Sequence, residues 1–216
     1  GKIKVNSLYI DKYLIRNNSL VYPWTGVYFN GNPITLEAIA YPGYKFSHWN
    51  LTTDTVNPVI QNISNDTLIT AYFIIDTAFK ATHYLYINEV LASNTSNIKD
   101  DYFENEDWIE LYNPNNFSVD VSGFYLSDES IYKTKYRVRN TSQQTVISPH
   151  GFKLVWLDND SVQGALHGNF KLNAGSDSLF ITLPNGIQTI DSIGFINMTP
   201  NVSFGRQHDG DDRWIT

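Results

Sequence analysis

The sequence predicts an all-β protein, and three observations carry that expectation. Aromatic residues make up 14% of the 216, with 14 Tyr and 12 Phe among them, and such side chains suit a pleated, half-buried surface. Short alternating or apolar runs recur roughly every dozen residues, separated by Asn, Gly, Pro, Asp and Ser. No segment holds a helical period over three turns.

Composition narrows the functional classes. Hydrophobic residues at 42% and charged ones at 17% mark a globular chain, long enough for one large or two modest domains. Without cysteine there is neither a disulfide framework nor a thiolate zinc site. No run of about 18 apolar residues could cross a membrane. A net charge of −7 argues against duplex nucleic acid, which calls for a basic face. The opening "GKIKV" starts at Gly rather than Met and has no leader character, so the chain reads as an excised piece whose missing targeting signals mean little.

In chain order, "KIKVNSLYI", "NPITLEAIAY", "GYKFSHW" after a Pro-Gly turn, and "TLITAYFII" (67–75) are strand-like. "DTAFKATHY" then intervenes. Of 22 acidic residues about 17 lie beyond residue 80, a second sign of a boundary. The expected division is a small β domain over 1–78 and a larger one over 85–216. The larger one carries eight strand candidates at 85–92, 107–112, 117–121, 123–127, 134–139, 152–158, 178–183 and 188–196, a number that suits a sandwich. Turns come from "NPNN", "SPHG", "NAGSD" and "PNG", and "LPNGIQTIDSI" reads as a hairpin with an Asn-Gly corner. In "FKLVWLD" both faces are apolar, which predicts a central strand covered on both sides.

Several motifs agree in order and spacing with one family. "INEVLASN", "EDWIELYNPNNFSVDVSGFYLSD", "ISPHGFKLVWLD", "LHGNFKLNAGSDSLFITLPNGIQTIDSIGF" and "SFGRQHDGDDRW" resemble the bacterial lamin-tail domain along about residues 86–214. The resemblance implies an immunoglobulin-like β-sandwich that serves interaction or scaffolding and has no known catalytic residues. "YFNGNPITLEAIAYPGYKFSHWN" with "NPVIQNISNDTLITAYF" resembles a divergent internalin B-repeat, over about 22–75. The pairing is similar to the C-terminal region of CotH-type bacterial surface proteins. No kinase-like segment is present here, so that activity does not carry over.

The densest chemistry is "EDWIELYNP" (106–114), with three carboxylates and a tryptophan. Strand alternation puts Trp108, Glu110 and Tyr112 on one side and Asp107, Ile109 and Leu111 on the other. Ile109 and Leu111 are then the inward pair, Glu110 a hydrogen-bonded anchor and Asn113-Pro114 a turn. The acidic run before it offers Asp100, Asp101, Glu104 and Asp107 as the oxygen donors a Ca²⁺ ion would use. Its spacing is not that of an EF-hand, and the expectation is a solvated loop with no metal. "HDGDD" (208–212) is treated alike, with Asp-Gly as a turn.

Lys133, Lys135, Arg137 and Arg139 lie at spacing two, with Tyr136 and Val138 between them facing the core. This basic face either protects an edge or meets an anionic ligand or acidic partner. Tyr22, Trp24, Tyr28 and Phe29 form an aromatic loop suited to stacking on sugar rings, or to packing. The five histidines are dispersed and form no metal-binding pair; His167 matches a family position and reads as a hydrogen-bonding residue of a loop. There is no nucleophile elbow and no phosphate-binding loop. Triplets such as Asn62-Ile63-Ser64 and Asn94-Thr95-Ser96 carry no message in an Asn-rich chain.

The expected protein is therefore a non-catalytic, cofactor-free, monomeric module at the bacterial cell surface, with a protein or glycan partner. The alternative is a carbohydrate-binding accessory to a catalytic domain outside this chain.

Overall fold

The computed structural model describes residues 1–11, 15–16, 19–20, 23–51, 55–79, 84–139 and 143–216. They form two compact units, Gly1–Phe79 and Lys80–Thr216. Tyr22 and residues 80–83 of the stretch between the strand groups, His83 among them, lie outside the described residues. Among the described residues there is no α-helix, and the fold is all-β.

The first unit contains β1 (Lys2–Val5), β2 (Leu8–Asp11), β3 (Ile15–Arg16), β4 (Ser19–Leu20), β5 (Pro33–Ile39), β6 (Tyr44–Trp49), β7 (Val59–Asn62) and β8 (Ala71–Ile75). "KIKVNSLYI" is two strands rather than one. Asn6 turns the chain at φ 53°, and Val5 pairs with Leu8; Asn tolerates this left-handed conformation better than most residues. One sheet runs β2-β1-β5-β7, while β6 and β8 pair separately. Alternation along β5 sends Ile34, Leu36 and Ala38 inward, where they meet Val5, Ile10 and the fully buried Trp49. The Trp49 indole donates to Val56 O at 3.3 Å, so the largest core side chain leaves no orphan donor. Asn57 acts as a piece of backbone: its amide accepts from Ala38 N and donates to Ala38 O, both at 2.7 Å.

The second unit contains β9 (Tyr86–Leu91), β10 (Trp108–Tyr112), β11 (Val119–Asp120), β12 (Tyr125–Ser127), β13 (Tyr136–Arg137), β14 (Val146–Ile147), β15 (Phe152–Trp156), β16 (Ser176–Thr182), β17 (Thr189–Ile196), β18 (Phe204–Arg206) and β19 (Trp214–Ile215). Five strands run β15-β10-β9-β18-β19 and four run β13-β12-β16-β17, with β11-β14 as a short extra pair. This is an immunoglobulin-like β-sandwich. Leu85, Ile87, Ile109, Leu111, Leu126 and Leu179 are among its fully buried side chains. The hairpin β16–β17 closes through Gly186 at φ 70°, with Gly186 N donating to Leu183 O at 2.9 Å.

Two features depart from the sequence expectation. First, β15 is an edge strand of its sheet, not a central one. Its second apolar face packs Leu154 and Trp156 with Leu91 and Trp108, and its open edge is met by a short wrap: Trp156 N donates to Leu166 O and Gly168 N to Trp156 O, both at 2.8 Å. A Cβ at Gly168 would lie 2.9 Å from Leu157 Cδ2, so a larger residue there would have to displace that buried side chain. Second, β18 and β19 extend the five-stranded sheet through the pairing of Phe204 with Val90. These strands have three and two residues, too few for alternation to reveal them.

An arginine ties the two sheets together. Arg206 Nε donates to Ile87 O and its Nη2 meets Asp191 Oδ2, each at 2.8 Å. Asp191, on β17, also accepts from Ile87 N at 2.8 Å. The guanidinium lies between the rings of Tyr86 and Trp214, at 5.0 and 4.8 Å from their centroids. Planar stacking and fork-like donation are what distinguish Arg from Lys in such a place.

Candidate functional site

"EDWIELYNP" is a buried strand with separately anchored carboxylates. Ile109 and Leu111 are fully buried, and Trp108 packs with Leu91 and Trp156. Glu106 pairs with Lys171 Nζ at 2.6 Å. Asp107 accepts from Leu172 N at 3.1 Å, and burial pushes its carboxyl up to about 6. Glu110 accepts from Asn88 Nδ2 at 3.0 Å, and burial raises it too. No pair of these acids converges on common ground. Asn113 is buried and donates to Phe117 O, Ile147 O and Ser148 O at 2.8–3.1 Å, which ties its own turn to the start of the one at 148–151.

The distant turn 208–212 does reach this strand, a meeting that no motif announces. Asn88 Nδ2 also donates to Asp209 Oδ1 at 3.1 Å, so one amide stands between Glu110 and Asp209. Gly210 sits there at φ 74° against the Tyr86 ring. The Asp-Gly is a turn.

The basic residues are engaged within the sandwich. Lys135 pairs with Asp128 at 2.7 Å and Glu129 at 2.9 Å. Lys133 Nζ donates to Thr189 Oγ1 at 3.2 Å and lies over Phe180. Arg137 donates to Gly123 O at 3.2 Å and lies over Tyr125. Arg139 donates to Gly164 O at 3.2 Å. Between them Tyr136 and Val138 are buried; the Tyr136 hydroxyl donates to Ala165 O at 2.8 Å, and burial pushes its ionisation up to about 12.

In the first unit Trp24 packs against the core, with its ring edge-on to Tyr28 at 6.5 Å. Tyr28 and Phe29 are exposed. Asn94 is also buried, donating to Ile98 O at 2.7 Å and Glu106 O at 3.0 Å. Its side chain is part of the loop's framework and has no room for a glycan.

The calcium candidates do not gather as one loop set. Asp101 and Glu104 are exposed, and Asp107 faces Leu172. Asp100 alone turns inward, and it meets residues from a different loop. One carboxylate oxygen of Asp100, one of Asp158 and a ring nitrogen of His167 lie within 4.8 Å of one another, all three residues buried. Asp100 Oδ1 accepts from Tyr102 N at 2.9 Å and Glu104 N at 2.8 Å. Its Oδ2 is buried with no partner among the described residues. Asp158 Oδ2 contacts His167 Nδ1, while Asp158 Oδ1 accepts from Asp160 N at 2.9 Å. Among these three, Asp158 carried no signal in the sequence, because its partner is nine residues away across the β15 wrap.

Comparison with known proteins returned two family matches. The model described as Divergent InlB B-repeat domain matches residues 18–77, and the one described as Lamin Tail Domain matches residues 79–197. Searches of curated proteins and of solved structures each returned no match. Both families are structural and interaction-type domains. The second match spans more than half the chain, and it falls on β9 to β17, all the strands of the sandwich but the last two. By that match and that fold, the chain belongs to the lamin tail domain family, with a divergent InlB B-repeat ahead of it.

Proposed function

We propose that this chain is a docking and spacer module of a larger exported bacterial surface protein, of the CotH-related kind, and that it binds a protein partner as a monomer. The observation that carries the reading is the succession of a B-repeat and a lamin tail domain in one chain. B-repeat domains are typical of surface proteins. The separately anchored carboxylates of the β10 region support a structural role for that strand. Antibodies raised against the chain should label intact cells of the source bacterium as strongly as permeabilised ones. Labelling that requires permeabilisation would overturn the surface assignment.

A second reading, carbohydrate binding, is favoured by the exposed Tyr28 and Phe29 in the first unit. Flat rings in water are suited to stacking on sugars. Tyr28→Ala is the informative variant on a glycan array, because Trp24 supports the core and its loss would confound binding with stability. Glycan binding that disappears in Tyr28→Ala would favour this reading; an array without a hit would dismiss it.

A further inference from the structure

We propose that Asp100, Asp158 and His167 form a binding site for one divalent first-row transition-metal ion, of the zinc or manganese kind. Two independent observations carry it. The donor atoms of all three lie within 4.8 Å of one another. Bonds of about 2.0–2.2 Å to a common ion place ligands roughly 3.4 Å apart, so small side-chain movements complete the set. In addition, Asp100 is 6% exposed and its Oδ2 accepts nothing among the described residues. A buried carboxylate oxygen without a donor is costly, and Oδ1 is already taken by two amides. Oδ2 is therefore the atom left for a cation.

The chemistry of the donors selects the ion. Two carboxylates and an imidazole suit a borderline cation, whereas Ca²⁺ takes six to eight oxygens. The contact between Asp158 Oδ2 and His167 Nδ1 keeps these two residues together in the ion-free chain, and an ion bound by both would displace the proton they share. The two loops that supply the ligands are already joined: Tyr102 Oη donates to Gln163 O at 3.1 Å, and Gln163 Nε2 to Glu104 Oε2 at 2.9 Å. An ion among Asp100, Asp158 and His167 would clip these loops together. They carry the exposed Phe103 and Val162 at their tips, so the clip would set the shape of an apolar end of the sandwich.

The test is calorimetric titration of the full, tag-free, chelator-treated chain with Zn²⁺, Mn²⁺ and Ca²⁺ in turn. One ion of Zn²⁺ or Mn²⁺ per chain should bind at micromolar or lower concentration, with Ca²⁺ at least about tenfold weaker. Asp100→Asn keeps an acceptor for the two amides and should lose the binding by at least about tenfold; His167→Gln should do the same. His208→Gln, beside the acidic turn, should leave it intact. Each variant is first checked for a wild-type circular dichroism spectrum, and a variant that fails is replaced by Asp158→Asn. The melting temperature of the unsubstituted chain should also rise with the bound ion. No saturable binding of Zn²⁺ or Mn²⁺, binding that survives Asp100→Asn, or binding lost in His208→Gln would each overturn the site.

Discussion

At the scale of single residues, the sandwich holds charged groups where water reaches them poorly, and each leaves a measurable signature. Asp107 ionises in the folded state only near pH 6 because burial outweighs its bond from Leu172 and the nearby Lys171. The folded form thus holds its proton more tightly than the unfolded form, where Asp titrates near 3.8. The contribution of this group to stability is fully present below about pH 3.8 and is lost as pH rises through about 6. Asp107→Asn should flatten the stability profile between pH 4 and 6 by about 1–2 kcal/mol, allowing for solvent screening; urea denaturation at pH 4.5 and 7.5 checks it. Arg206 works in the other direction, as a cation almost out of water that meets the half-buried Asp191. Arg206→Met leaves Asp191 without its counter-charge and should cost about 3–5 kcal/mol. Adding Asp191→Asn should restore a large part of that loss, which a double-mutant cycle measures.

At the scale of elements, what could be read in the sequence depended on length and on who supplied the partner. "EDWIELYNP" was legible because five residues of alternation fix which side is buried, and Ile109 and Leu111 point inward as that pattern requires. The Asn-Gly hairpin was legible because turn chemistry is local. Strand β15 reads as central because apolar residues on both faces do not reveal what flanks a strand, and its open edge is met by residues 166–168 instead of a second strand. Asp158 was missed for the same reason: Trp156 and His167 meet in a parallel bridge that no local pattern announces. The abundant Asn, uninformative as a composition, turns out to replace missing backbone partners at positions 57, 94 and 113. Whichever element covers it, Trp156 is buried against Leu91 and Trp108. Trp156→Ala should cost roughly 3–5 kcal/mol in chemical denaturation; a loss under about 1 kcal/mol would mean an exposed ring.

At the scale of the whole molecule, the division into two units makes a prediction about where the chain yields to a protease. We place the first cuts in 76–84, between the units. The long loop 95–105 should be cut later, since Asn201 grips Thr95 N and Ser96 N at 2.8 and 2.9 Å while Asn94 holds its base. Limited trypsin or thermolysin digestion followed by mass spectrometry of the fragments decides this. Early cleavage within 107–112 or 152–158 would contradict the division.

The pairing of β9 with β18 has a consequence for the order of synthesis. Strand β9 is made first in its unit, yet one of its two neighbours, Phe204–Arg206, follows more than a hundred residues later. A ribosome adding roughly 5–20 residues each second therefore leaves Glu89 and Val90 on an unguarded edge for several seconds. During that interval the nascent chain resembles an exposed template onto which another copy could add a strand. A version of the chain ending at residue 197, where the family match stops, would make that interval permanent. It should be recovered mainly as aggregate, and size-exclusion chromatography beside the full chain would show it; a monodisperse product would mean that the sheet closes without its last two strands.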